Sequence, residues 1–484
     1  MATNITDLSN VQGDILLKGL TKEVETFWFF TIVDSTEFGH ALRRVANHDI
    51  SHTQHVLDTR RHIKHFKAQR GHSHTEKLPT VGANISFSFS GLQKIAAVTG
   101  LQVSTGDTIF ETGMKAAAVS DLHDPVKADD PQTPDWEADW LDNQIDGVLL
   151  VAGNCKDIVH KKLHHIISQF GSSVQRALKI DGNVRPGTQK GKEHFGYQDG
   201  ISQPIVGDLP NLTKEEMFVP PGQDIIPQGV ILCGRPGDAK ASSRPSWMLD
   251  GSFLCFRKLQ QDVSAWENFV VQSSSELGIS PDLLGARLVG RWKSGCPINL
   301  QPDFDNTEIA RDVLRNNFFE FDPTGLNSAQ EFTITSGQPS VNCPLGAHIR
   351  KTNPRGDQPP DGRASVNIHR ILRRGIPYGP EMDEDPAAER GLLFACYQSD
   401  LSQGFELIQK RWANDPSFRF PNSGLDALIG QTNSEPTVGM KGLVPDDANR
   451  ELHVSGINRF VIPKGGEYFF SPSLSALRGE LSDV

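Results

Sequence analysis

Hydrophobic positions along the chain alternate between a period of two and a period near 3.6, the repeats of strand and helix. Residues 26–34 (TFWFFTIVD) are aromatic and β-branched, which predicts a strand, and EFGHALRRVANH behind them has helical spacing. ISFSFS at 85–90 alternates residue by residue and predicts another strand; GLQKIAAVTG follows as a helix stopped by Gly100. VLLVAG (148–153) reads as a short buried strand. The helix after it places Ile158, Leu163, Ile166, Ile167 and Phe170 on one face. The second half repeats this style without a residue-level repeat. Strand SFLCFRKL (252–259) precedes helix DVSAWENFVV, strand LLFACY (392–397) precedes helix DLSQGFELIQKRWAND, and RFVIP (459–463) closes the pattern.

Strands separated by single helices suit either a parallel α/β sheet or an α+β sheet. The half-buried alternation of ISFSFS favours an antiparallel sheet with one covered face. A chain of 484 residues exceeds one ordinary core, so two domains are expected. Pro- and Gly-rich stretches occur at 119–137, 207–229 and 353–363, and the middle one is the expected boundary, dividing the chain into 1–220 and 221–484.

Charge narrows the partners. The 48 Lys and Arg against 59 Asp and Glu give −11, which argues against nucleic acid, since phosphate binding needs a basic footprint. No apolar run approaches the roughly 20 residues of a membrane helix. The first residues, MATNITDLSNVQGDIL, have neither the basic flank nor the apolar core of a signal peptide. Six scattered cysteines without a CxxC pair read as buried free thiols.

Four segments offer chemistry. His48, His52, His55, His62, His65, His72 and His74 crowd one region, but Lys and Arg are interleaved and no acidic partner stands at ligand spacing; a solvated basic helix and loop is the preferred reading over a metal site. FGYQDGISQP (195–204) sets Asp199 between Gly196 and Gly200, either a held proton carrier or an ordinary Asp-Gly turn. CPLGAHIRKTNPRG (343–356) carries His348 in an apolar stretch followed by Arg350, Lys351 and Arg355. It suits a metal ligand beside cations for carboxylates, or a core histidine beside a basic loop. NIHRILRRGIPYG (367–379), if a strand, turns Arg373 and Ile371 to one face and Leu372 and Arg374 to the other.

Taken in order, FGYQDGISQP, CPLGAHIRKTNPR and ILRRGIPYG resemble the dye-decolorising peroxidases, particularly the fungal ones, and NVQGDIL (10–16), LGARLVGRWKSGCP (284–297) and GLLFACYQSDL (391–401) extend the resemblance over almost the whole chain. It implies an α+β fold of two ferredoxin-like modules with antiparallel sheets and peripheral helices. The module 1–220 would carry the distal GxxDG loop, and 221–484 the haem and proximal histidine. One non-covalent haem b per chain is implied, with His348 as the iron ligand and Asp426 of GLDALIGQ as acceptor for its other ring nitrogen. Asp199 resembles the distal acid–base group and Arg373 the distal arginine, with Arg374 the runner-up. Arg350 and Arg355 are candidates for the haem propionates, and Leu392 and Phe394 resemble apolar pocket residues. Trp412 and Tyr378 resemble the surface aromatics through which bulky dyes are oxidised.

The implied partners are hydrogen peroxide, phenolics and dyes, with no nucleic acid and no membrane. The acidic residues Asp357, Asp361, Glu381, Asp383, Glu384 and Asp385 suit a solvated loop or, alternatively, a surface site for a divalent cation such as manganese. Fungal relatives are often extracellular, so the expectation leans outside the cell, with the cytoplasm left open. Two rival readings stand beside the peroxidase: a haem-binding or haem-delivery protein on the same fold, and a two-domain protein whose Arg-rich loop holds an acidic ligand.

Overall fold

The structure, a computed structural model, describes residues 6–70, 77–321, 342–357, 362–418, 423–432, 437–441, 451–455 and 460–484. The first aromatic run folds as strand β1 (Val24–Ile32), and Asp34 behind it caps helix α1 (Ser35–His48) by accepting the N–H groups of Thr36 and Glu37. Helix α2 (Thr53–Arg70) carries the basic, histidine-rich stretch. Strand β2 (Val81–Phe87) ends earlier than its alternation predicts, because Ser88 accepts the N–H of Gly91 and starts helix α3 (Phe89–Thr99), which Gly100 ends in the left-handed conformation. Strand β3 (Gly147–Gly153), helix α4 (Lys156–Phe170) and strand β4 (Val174–Asn183) complete the first half; α4 buries Val159, Leu163, Ile166 and Phe170, close to the expected face.

The second half supplies β5 (Ser252–Gln261), helices α5 (Val263–Leu277) and α6 (Pro281–Val289), and the five-residue helix α7 (His348–Thr352). Then come the short strands β6 (Leu372–Arg373) and β7 (Ile376–Tyr378), strand β8 (Gly391–Gln398), and β9 (Val461–Ser471). The helix expected across DLSQGFELIQKRWAND is shorter. It occupies Phe405–Leu407 and continues as a π-helical turn, Ile408–Ala413, because Asp400 holds the N–H groups of Ser402 and Gln403 in a turn before it.

All pairings in the nine-stranded sheet are antiparallel. The order is β4-β1-β3-β2-β9-β5-β8-β6, with β7 also on β8. Each half thus has its fourth strand beside its first and its third beside its second, the ferredoxin-like order, and the likeness of the two halves in sequence pattern has this cause. The first half's strands end at Asn183 and the second's begin at Ser252, so residue 220 falls in the connection between them.

The halves share one core. Between β2 and β9 the register pairs only Phe87 with Phe470. The buried Gln12 amide reinforces that seam, donating to the carbonyls of Ile85 and Pro472 and accepting the N–H of Ile85, each at 2.8 Å. At the other end the sheet curls until β4 meets β7: a methyl on Gly182 would stand 2.4 Å from Ile376 Cγ2. The expectation of one covered face is therefore corrected, since six of the seven β2 residues are buried. On β1, Phe29 lies 5.0 Å from Phe256 across the interior, while Phe30 faces outward to Phe38 of α1 and Phe170 of α4. Truncating one of these rings to alanine costs roughly 3–5 kcal/mol. Of the six free cysteines, Cys155 is exposed and the other five are buried. No helix among the described residues is long and apolar enough to cross a membrane.

Candidate active site

A cavity opens between the second half of the sheet, α6, α7 and the loop 193–204. It brings together residues far apart in sequence, among them Asp199 and Arg373, separated by 174 positions. His348 begins α7, and its imidazole is 26% exposed, toward the cavity. Its Nδ1 lies 2.8 Å from Asp426 Oδ2. Asp426 is fully buried; burial pushes its pKa up, but the facing imidazole and the N–H groups of Leu428 and Ile429 outweigh this and hold it below the usual range. An ionised carboxylate only accepts, so Nδ1 carries the proton of that bond and Nε2 is the ring nitrogen left for the cavity. For His348 the opposing effects are burial, which lowers the pKa, and Asp426, which wins and raises it.

The opposite wall is built by the glycine-flanked loop. Gly196 and Gly200 take φ of +94° and +76°, conformations that favour glycine. Glu193, which sequence reasoning missed, fixes the loop: its carboxylate accepts the N–H groups of Phe195 and Tyr197 at 2.8 Å and is also bonded by the Gln261 amide. Phe195 stacks on Trp266 of α5 at 5.1 Å. The loop ends on Asp199, whose Oδ1 receives Arg373 Nη1 at 2.6 Å. Asp199 is 41% exposed, through the cavity. Burial raises its pKa, yet the charge and hydrogen bond of Arg373 and the Gly200 N–H bring it below the ordinary value.

The two candidate arginines separate cleanly. Arg373 and Ile371 line the cavity. Arg374 points to the other face, where its guanidinium donates to the carbonyls of Asp14, Ile15 and Leu17 and pins the N-terminal segment. Leu392 and Phe394 line the cavity as expected, joined by Val289, Ile349, Leu428 and Ile429.

The basic residues need a correction. Arg350 does not reach the cavity lining: its Nε donates to Asp357 at 2.7 Å, its Nη1 to the carbonyl of Cys343, and its guanidinium covers the Phe321 ring at 5.1 Å. Two positions along a helix turn through 200°, so His348 and Arg350 face opposite ways. Arg355 does line the cavity and is joined there by Arg291, from the segment LVGRWKSGCP. Both are buried and bonded to carbonyls and to the Asn317 amide oxygen, and among the described residues neither makes an ion pair. Burial lowers them to about 10 and about 9, so both remain cationic at neutral pH.

These features fit a haem: one imidazole nitrogen not engaged by Asp426 and facing an apolar slot, and two buried cations without carboxylate partners among the described residues for two propionates. Asp199 and Arg373 converge on the same cavity, a proton acceptor beside a permanent cation.

Other expectations are not met. Trp412 and Tyr378 are not surface residues; they are 2% and 7% exposed. Trp412 sits on the inward side of the π-helical turn, stacked on Phe418 at 5.3 Å with His369 against its edge. The Tyr378 hydroxyl donates to Glu389, and Lys258 covers its ring. Among the described residues acidic side chains of this group are engaged elsewhere: Asp357 is bonded to Arg350 and Glu381 to Arg185. Asp361, His72 and His74 lie outside the described residues. No group of three His, Cys, Asp or Glu side chains suited to a metal ion occurs among the described residues.

Comparison with known proteins follows the same lines. Residues 10–186 match the model of a DyP dimeric alpha+beta barrel domain, and residues 235–420 match that of the Dyp-type peroxidase C-terminal region. Peroxidase 2 of Mycetinis scorodonius is 37% identical over 98% of this chain and 88% of its own. The solved structure of an ancestral D-type dye decolorizing peroxidase is 42% identical, covers 99% of both chains and superposes with a TM-score of 0.85. That of a dye-decolorizing peroxidase in complex with 2,6-dimethoxyphenol is 36% identical over 99% of this chain and 100% of its own, with a TM-score of 0.81.

Proposed function

The chain belongs to the dye-decolorising peroxidases, and from that premise we propose how its cavity carries out the reaction. The protein is a haem peroxidase that oxidises dyes and phenolics. Its electron acceptor is hydrogen peroxide. Haem b, one per chain and held without a covalent link, would supply redox-active iron for peroxide chemistry. His348 would hold that iron through Nε2, with Asp426 keeping the imidazole oriented and electron-rich. Arg291 and Arg355 would hold the propionates.

Asp199 moves the proton. As a carboxylate it can take a proton from one oxygen of hydrogen peroxide and return it to the other, which leaves as water. Arg373 stays charged throughout and stabilises the negative charge that grows on the departing oxygen. Two one-electron oxidations of a phenol, each releasing a proton, would supply the two electrons and two protons that complete the reduction of peroxide to two waters. Leu392 and Phe394 keep bulk water from the space where the O–O bond breaks.

The observation that carries this reading is the 2.6 Å contact between Asp199 and Arg373 on the cavity that His348 enters. A haem-delivery protein needs the ligand but has no use for that pair. The test is an absorption spectrum of the haem-loaded protein before and after one equivalent of peroxide, followed by turnover of a phenol. A spectrum that peroxide leaves unchanged, with no phenol consumed, would select haem delivery instead.

A further inference from the structure

Arg373 stands on a strand of two residues at the end of the sheet, and its own backbone N–H and C=O are not taken up by the neighbouring strand. The register pairs Arg373 with Cys396, and the next hydrogen bond, Arg374 N–H to the carbonyl of Ala395 at 2.7 Å, belongs to the neighbouring pair. In an antiparallel ladder adjacent residues alternate in the direction of their N–H and C=O groups. Those of Arg373 therefore point away from β8, to the open edge. Unpaired edge groups of this kind are costly when partly buried.

The Gln203 side chain takes both. Its Oε1 accepts the Arg373 N–H at 3.2 Å and its Nε2 donates to the Arg373 carbonyl at 3.0 Å. A primary amide carries a donor and an acceptor in one plane, so it pairs with an edge residue as a one-residue strand. Gln203 does not line the cavity. Its own loop is fixed by Gln223, whose amide accepts the Gln203 N–H and donates to the Ile201 carbonyl, and by Asn317, which donates to the same carbonyl. The same loop grips the guanidinium at its far end, through the Ser202 carbonyl at 3.1 Å and Asp199 Oδ1 at 2.6 Å. Residues 199–203 thus hold Arg373 at backbone and at side chain together.

We infer that Gln203 is a positioning residue for peroxide cleavage: its amide sets the offset of Arg373 relative to Asp199 by capping the edge of the two-residue strand. The inference rests on the peroxidase reading. An error of about 1 Å in a reacting geometry is worth up to roughly a hundredfold in rate. Glutamate keeps the shape and the acceptor but sets a carboxylate oxygen against the Arg373 carbonyl, so Gln203→Glu tests the contact in a chain of unchanged packing.

The experiment is a double-mutant cycle on the haem-loaded protein, with Gln203→Ala, Gln203→Glu and Arg373→Leu alone and combined. It reads the second-order rate with hydrogen peroxide and the dissociation constant of fluoride, an anion that reports the distal guanidinium without turnover. The expected results are a ten- to hundredfold slower peroxide reaction and weaker fluoride binding in both Gln203 variants, with haem content unchanged. In the Arg373→Leu background, Gln203→Ala should add less than a twofold change. A full, additive loss in that background, or a normal rate and fluoride constant in both Gln203 variants, overturns the inference. An Arg373→Leu protein with normal peroxide kinetics overturns the reading beneath it. A crystal structure of Gln203→Ala separates the two failures: the geometry stands if the Asp199–Arg373 contact opens, and falls if it remains at 2.6 Å.

Discussion

Two carboxylates of the site, Asp426 behind His348 and Asp199 on the cavity wall, differ in how each is surrounded. Asp426 has no exposed side-chain surface, and its oxygens are occupied by His348 and two backbone N–H groups. Asp199 is 41% exposed toward the cavity, and its salt-bridge partner Arg373 is 31% exposed. Both are held below the usual carboxylate range against burial, one by an imidazole and amides, the other by a guanidinium. A group that tunes a metal ligand must not move or exchange protons with its surroundings; a group that carries protons must be reachable. The fold gives the first a sealed site and the second an open one.

That contrast is broken most severely at the ligand. His348→Ala should lower haem content to below about a tenth under conditions that load the parent protein, measured by the haem absorbance per chain, since among the described residues no other histidine lines the cavity. Asp199→Asn should keep haem content and slow the reaction with peroxide by about 10²–10⁴-fold in stopped flow, the usual weight of a positioned acid–base group. A parent-like rate would remove Asp199 from the mechanism. Asp426→Asn should act between these, costing about 10–100-fold in haem affinity or rate, and it should change the spectrum of the resting iron, which Asp199→Asn should not.

A pH profile sharpens the comparison further. In the proposed mechanism Asp199 works as a base, and its pKa is depressed below the ~3.9 of an unperturbed aspartate. The carboxylate therefore persists to lower pH than an unperturbed aspartate would, and the acid limb of the peroxide reaction should lie on the acid side of that of an ordinary aspartate. Removing Arg373 takes away the main charge that lowers this pKa, so in Arg373→Leu the acid limb should move to higher pH. The smallest effect is expected at Trp412. Being buried against Phe418 and His369, it offers no surface to a dye, and Trp412→Phe should change turnover of a large dye by less than about twofold.

Much of this was legible in the linear chain. His348, Asp199 and Arg373 stand in ordered motifs, and the alternation of Ile371 to Arg374 already implied that one arginine faces in and the other out. Arg350 was misplaced because 343–356 was read as an apolar stretch and a basic loop, whereas the helix α7 turns Arg350 away from His348. Arg291, Glu193 and Gln203 were not singled out. Their roles come from contacts with residues far along the chain, such as the 170 positions between Gln203 and Arg373, and a lone arginine or glutamine carries no local signal of that. Trp412 was placed on the right helix but on the wrong side of the surface. A π-helical turn alters the angular step, so periodicity alone did not give its direction.

Local sequence determined the strands, the helix caps and the identity of the chemical groups, because hydrophobic period, capping side chains and glycine conformations act over a few residues. Only the tertiary structure decided which groups meet. The sheet curls, its two halves share a core, and that packing brings residue 199 to residue 373 and residue 348 to residue 426. Proton affinities follow from those meetings, since a carboxylate's pKa is set by the charges and dipoles packed around it and not by its neighbours in sequence.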